Sequence, residues 1–279
     1  MVKIGEMNTL EVVRKADFGY YLSGGTRNTN DDILLPKNSS LNREINVGEQ
    51  IEVFVYRDSK DRAIATFKTP TAMVGDIAFL KIVDRTMIGA FADIGLERDV
   101  LIPFKEQEDE LIVGKSYLVY LYLDKTERIA GTTRIDRFLE YSEDYKIGDF
   151  VKGIVYGFQT NGSLMIAVEG KYKGVVLNNE VFNDFKLGDE IELRVKKYYD
   201  DDKIGLTPRQ GKLFERDNLE EKILEYLKEN NGQMIFNDKS SPEEIKKVFS
   251  TSKNYFKMAL GGLMKKKLID QDEKGTKLL

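Results

Sequence analysis

The chain has 279 residues, with 43 Lys and Arg against 47 Asp and Glu, and it contains neither Cys nor His. That composition excludes disulfides, Cys/His zinc sites, thiol nucleophiles and any triad that uses imidazole as its base. The start, Met1-Val2-Lys3-Ile4-Gly5-Glu6, has no apolar stretch and no later run approaches about 18 apolar residues, so a soluble cytoplasmic protein is expected. The net charge of −4 is unlike the basic footprint usual for nucleic-acid binders. It is uneven, however: residues 67–146 carry 11 basic and 15 acidic groups, whereas residues 214–279 carry 13 and 12. A polyanion is expected to prefer the C-terminal half.

Read in chain order, one unit occurs three times. Ile4-Gly5-Glu6, Val74-Gly75-Asp76 and Ile147-Gly148-Asp149 each open a segment, and a second Gly follows about 40 residues later at Gly48, Gly114 and Gly188. After it come an alternating strand, a short polar turn and a strand that ends in Thr66, Thr132 or Thr207. Ile51, Val53 and Val55 alternate with Glu52, Phe54 and Tyr56, which puts one face in a core and the other in solvent. About five short strands in roughly 70 residues fit a small closed Greek-key barrel of OB type. The expected segments are barrels at 1–68 and 69–145, a divergent barrel at 146–211 and a different domain at 212–279. Pro70, Glu143-Asp144 and Pro208-Arg209-Gln210-Gly211 mark the joints.

In the last segment the period becomes helical, with Leu219, Ile223, Tyr226 and Leu227 on one stripe. Ser241-Pro242-Glu243-Glu244 predicts a capped second helix with a capping box. Thr251-Ser252 predicts the start of a third, with Phe256, Leu260 and Leu263 as its apolar stripe and Lys265-Lys266-Lys267 in its last turn. Helix, extended Met234-Ile235-Phe236, helix, helix and terminal hairpin is the order of a winged helix-turn-helix. The predicted fold class is therefore multidomain and mainly β, three tandem OB barrels followed by an α+β winged helix.

An OB barrel usually binds on the exposed side of strands 2 and 3, with aromatics that stack on bases. The strand-2 stretches are Phe18-Gly19-Tyr20-Tyr21-Leu22, Ile88-Gly89-Ala90-Phe91-Ala92 and Asn161-Gly162-Ser163-Leu164-Met165. They resemble the RNA-binding domain of ribosomal protein S-one, whose motif is aromatic-Gly-Ala-Phe followed by a strand ending in His. The second repeat keeps Gly89-Ala90-Phe91 and the first keeps Phe18 and Tyr21. The third has Asn161 and Leu164 in the aromatic places, and Pro36, Pro103 and Asn178 replace the strand-end His. Phe18 and Tyr21 are three residues apart, so a bulge at Gly19 is needed to align them. Each Phe has a plain alternative as a core residue. In the third repeat Tyr156, Phe158, Lys171, Tyr172 and Lys173 are the alternative ligand residues.

The third C-terminal helix is the other candidate. From Thr251 to Ile269 there are five lysines, Lys253, Lys257, Lys265, Lys266 and Lys267, and no acid. A recognition helix carries such charges to phosphates, and a merely solvated helix face looks the same. Asp200-Asp201-Asp202 lies between two alternating strands, where a turn favours Asp for local reasons, and carries no metal expectation.

The whole chain resembles the conserved virulence factor B family, most specifically through Asn237-Asp238-Lys239-Ser240-Ser241-Pro242-Glu243-Glu244-Ile245 and Lys257-Met258-Ala259-Leu260-Gly261-Gly262-Leu263. The resemblance implies a bacterial RNA-binding protein that regulates gene expression, virulence factors included in some species. The expected partner is single-stranded RNA, with DNA second, and no cofactor or catalysis is expected. A protein-interaction scaffold is the alternative, and a nuclease has the least support.

Overall fold

The computed structural model describes residues 2–26, 28–41, 43–208 and 212–279, and of 212–217 the backbone alone. The expected joint at 209–211 lies outside the described residues. Contacts divide the chain into two compact units, 1–140 and 141–279.

The first unit holds two closed barrels. The first is built from β1 (Met7–Ala16), β2 (Gly19–Leu22), β3 (Ile33–Pro36), β4 (Gln50–Arg57) and β5 (Ala63–Thr66). Its strands run in the order 1-2-3-5-4 and close through β1 against β4, with β3 and β5 parallel and the other pairs antiparallel. This is the OB arrangement. The second barrel repeats it with β6 (Ile77–Thr86), β7 (Gly89–Ala92), β8 (Val100–Pro103), β9 (Ser116–Leu123) and β10 (Ile129–Thr132). Alternate residues fill each interior: Val12, Leu22, Ile33, Leu35, Val53 and Val55 are at most 2% exposed. Burial of such side chains drives closure, at about 25 cal/mol per Å² of apolar surface.

The outer face of β4 departs from the alternation. Phe54 and Tyr56 point away from the barrel interior yet are buried, and their rings stack at a centroid separation of 6.1 Å. The solvent expected on that face is replaced by protein, because Tyr56 lies in the groove shared with the second barrel. The two barrels also clasp by their last hairpins. Arg57 pairs with Glu127, and Arg128 donates to Asp61 at 2.5 Å.

The second unit opens with a third barrel, from β11 (Phe150–Phe158), β12 (Leu164–Val168), β13 (Tyr172–Val176), β14 (Glu190–Tyr199) and β15 (Lys203–Thr207), in the same closed order. Asp200–Asp202 is the turn between β14 and β15. Asp202 is left-handed there (φ 58°), and Asp201 is bonded to Lys203 at 2.6 Å. The chain then forms α1 (Lys212–Glu229), β16 (Gln233–Met234), α2 (Pro242–Phe249), α3 (Lys253–Lys265), β17 (Ile269–Asp272) and β18 (Gly275–Leu278), with the sheet ordered 16-18-17. That is a winged helix. The capping box at α2 is present in full: Ser241 Oγ accepts from Glu244 N and Glu244 Oε2 accepts from Ser241 N, both at 3.2 Å. Leu219, Ile223, Leu227, Phe249, Phe256, Leu260 and Leu263 close one core.

Candidate nucleic-acid interface

The hairpin β1–β2 sets the first barrel's outer face. Gly19 has φ 155°, and a Cβ there would stand 2.2 Å from Leu35 O, so only glycine lets the turn meet β3. Phe18 sits in the turn before it, 56% exposed, while Tyr21 is two residues along β2 from Gly19 and points outward. The turn rather than a bulge at Gly19 brings the two rings onto one side. They meet edge to face at 6.1 Å. The bulge lies across the hairpin instead, between Val12 and Arg14 on β1. It aims Arg14 onto Tyr21, with the guanidinium 3.8 Å from the ring centroid. Lys37, exposed, donates its backbone N–H to Phe18 O at 3.0 Å. Two rings and the Arg14 cation therefore share the face, an arrangement suited to stacked bases and their phosphates.

Strand pairing gives the equivalent positions elsewhere. Arg14 pairs Tyr21, Asp84 pairs Phe91 and Gly157 pairs Met165, each directly after a bulge. Phe91 is thus the second barrel's Tyr21, half-buried on the outer face rather than in the core. Ile88, 60% exposed, stands where the first barrel has Phe18. In the third barrel the counterpart is Met165, not Leu164. Leu164 is 1% exposed and belongs to the core, because the β11–β12 turn is longer and shifts the register by one residue. The same shift makes Leu177, not Asn178, the counterpart of Pro36 and Pro103.

The outer row continues across each sheet. It reads Tyr21, Leu34, Ile64, Tyr56 in the first barrel and Phe91, Leu101, Ala130, Tyr122 in the second. In the third it reads Met165, Val175, Gly205, Lys197. Burial, with Glu106 and Asp124 nearby, pushes the Tyr122 phenol up, so this ring is neutral at physiological pH.

Among the third barrel's expected ligand residues, Tyr156 is 5% exposed and offers no open ring face, because it lies in the bulge between Val155 and Gly157. Phe158 is 42% exposed at the end of β11. Lys171 is exposed with its ammonium 5.2 Å from the Tyr172 ring, and Lys173 is half-buried on β13. Phe158 pairs with Leu164 at one end of β12, whereas Lys173 pairs with Ala167 near the other, so the two stand at different levels of the sheet. In the winged helix, Lys253 donates to Lys239 O at 3.2 Å, and Lys266 is bonded at 2.5 Å to Glu220, whose side chain is 4% exposed. Lys257 and Lys265 are exposed and make no ion pair among the described residues. Lys257 borders a shallow depression that also holds Asp238, Asp272 and Glu273.

The CvfB-like winged helix domain profile matches residues 221–278, and the S1 domain profile matches 4–68 and 74–134. The chain is 30% identical to Conserved virulence factor B of Staphylococcus epidermidis, over 96% of its own length and 92% of that protein. It is also 30% identical to the uncharacterized protein YitL of Bacillus subtilis, over 98% and 92% of the two chains. The chain belongs to the CvfB-like family. A crystal structure of a multidomain protein with nucleic acid binding domains from Streptococcus pneumoniae superposes with a TM-score of 0.53 at 26% identity, covering 99% of this chain and 98% of that one. The S1 and winged helix domains so matched are nucleic-acid-binding types and not catalytic ones. Among the described residues no helix is long and apolar enough to cross a membrane.

Proposed function

We propose that the chain is a cytoplasmic, non-enzymatic RNA-binding regulator of gene expression, with single-stranded RNA as its ligand. Bases stack on barrel aromatics, chiefly Phe18 and Tyr21, with Phe91 in the second barrel, and phosphates meet Arg14, Lys37 and the winged-helix lysines Lys257 and Lys265. The observation that carries this reading is the exposed Phe18 ring against the half-buried Tyr21, with Arg14 seated on Tyr21. Nothing in the barrel's own packing requires an aromatic in an exposed turn. The name Conserved virulence factor B of the staphylococcal relatives supports a regulatory role that includes virulence genes.

The test is a polarisation titration of the full chain with labelled oligo(U), oligo(A), duplex RNA and duplex DNA over a range of salt. The single strands bind more tightly than either duplex. Log Kd rises linearly with log salt, by about 0.7 for each phosphate neutralised. Equal affinity for duplex DNA, or affinity indifferent to salt, overturns the reading. The scaffold reading draws on one observation, that acidic Asp84 stands where the first barrel has Arg14. It gains if no nucleic acid binds and a protein partner is captured reproducibly.

A further inference from the structure

The second barrel's outer row opens onto a groove of 460 Å³ between the first two barrels. Leu101 and Ala130 form an apolar floor, with Phe91 at one side and Tyr122 at the other. Along the wall through β8 and β10 the two aromatics are three strands apart, a path of about 14 Å around the curved sheet. The first barrel supplies the facing wall through Arg57, Asp58 and Ser59 of its β4–β5 hairpin. The volume is that of a small-molecule site, and apolar walls with a few convergent polar groups are the usual design.

The rim carries both signs of charge: Arg57 and Arg128 are engaged with Glu127 and Asp61 in the hairpin clasp, which leaves Arg98 and Lys105 as its cations without an ion pair among the described residues. Arg57, Arg98, Lys105 and Arg128 line the groove, against Asp58, Asp99 and Asp124. Two of those carboxylates are occupied within their own turns. Asp58 accepts from the Lys60 and Arg62 backbone N–H groups and from the Arg62 side chain, and Asp124 accepts from Thr126 and from the Arg128 backbone. Arg57 keeps a buried Nε with no hydrogen-bond partner among the described residues.

We propose that this groove is a composite pocket for one nucleoside monophosphate unit, shared by both barrels. The base packs over Leu101 and Ala130 against the Tyr122 ring, and the phosphate goes to Arg98 and Lys105. Phe91, at the far side, takes the neighbouring base of a longer strand. This deepens the nucleic-acid reading and rests on it for the class of ligand, but it makes a claim of its own: a free mononucleotide binds.

The experiment titrates the full chain, methyl-labelled at Ile and Ala, with AMP and with adenosine. The methyl resonances of Ile88, Ile129 and Ala130 shift and saturate with AMP, while that of Ile223 in the winged-helix core stays fixed. Adenosine binds more weakly than AMP. Tyr122→Ala and Arg98→Ala each weaken AMP on the order of tenfold, and the dispersion of the remaining methyl signals reports that both variants are folded. No shift at Ile129 and Ala130, or shifts that both variants leave unchanged, overturns the pocket. If AMP binds here and the oligonucleotides do not bind at all, the pocket stands and the polymer reading falls. If oligonucleotides bind and AMP leaves these methyls unmoved, the reverse holds, and binding by neither removes both.

Discussion

The first and third barrels have the same strand order and the same inward alternation, yet their outer faces are opposites. The first exposes Phe18 at 56% beside Tyr21 and Arg14. The third has Met165, with the outward Ala167 at 0% and Val175 at 5% exposure, and no aromatic in its row. Period-two alternation separates the two faces physically, so a sequence that preserves closure places no constraint on what points outward. Triplicating a barrel therefore does not triplicate a binding site.

The sharpest break in this comparison is at the turn. Gly19→Ala puts a Cβ against Leu35 O and keeps a residue with a side chain at φ 155°, so it should cost about 3 kcal/mol. Its third-barrel counterpart is Ser163, whose hydroxyl accepts from Asn178 N at 3.1 Å. Ser163→Ala should cost only about 1 kcal/mol, the loss of one hydrogen bond. Urea unfolding of both variants measures the difference, and equal midpoints would mean that the two turns do the same work.

Next in size is the binding contrast. Phe18→Ala with Tyr21→Ala should weaken oligo(U) on the order of 30-fold, since each stacked base is worth about 1–3 kcal/mol. Met165→Ala should leave the affinity within a factor of about two. A double variant that binds like the parent would move the ligand off the first barrel.

What could be read without coordinates follows the same division. Core-facing residues such as Val53, Leu193 and Leu260 repeat with a period fixed by the backbone, and the Ser241–Glu244 capping box has a local spelling. The outer faces depend on longer-range facts. Arg14 reaches Tyr21 only because a bulge re-aims it, and nothing in its spelling marks that. Tyr122 was within reach, because alternation puts it with Tyr120 on the outer side of β9, but its value comes from Phe91 three strands away and from a neighbouring barrel. Aligning repeats by their glycines misplaces Leu164 and Asn178 by one position, since turn length changed where the glycine frame did not.

If the third barrel's own face contributes little, the second unit should bind through its winged helix. Lys257→Glu with Lys265→Glu should weaken oligo(U) several-fold and make the salt dependence shallower by about 0.7 for each phosphate no longer neutralised. Lys266 is not equivalent to these two. Removing it breaks the ion pair with the buried Glu220 and should lower the thermal midpoint instead. Unchanged affinity and slope in the first variant would confine binding to the first unit.

The smallest effect tests a charge exchange between the barrels. Asp32 and Asp99 hold equivalent positions, each one residue before its strand 3, and in the first barrel Asp32 lies 3.8 Å from Arg14. In the second barrel Asp84 replaces that arginine. Burial, then Asp93 and Asp84, hold the Asp99 carboxyl above the usual aspartate range. The folded chain therefore binds this proton more tightly than the unfolded one. The associated stability is present below the ordinary aspartate value and is lost as pH rises through the raised one. Within that window Asp99 is still partly neutral, and the groove repels a phosphate less than at pH 7. The Asp99 contribution to the AMP profile, distinct from protonation of the AMP phosphate itself near about pH 6, is a rise in affinity of about twofold as pH falls into that window, a modest change because Asp99 is exposed. Asp99→Asn should raise the affinity at pH 7 by a similar factor and flatten the profile. Asp84→Arg, which restores the first barrel's pairing, should flatten it too, by drawing Asp99 down to ionise with a partner. A profile unchanged in both variants would assign the pH dependence to another group and leave the exchange without consequence for binding.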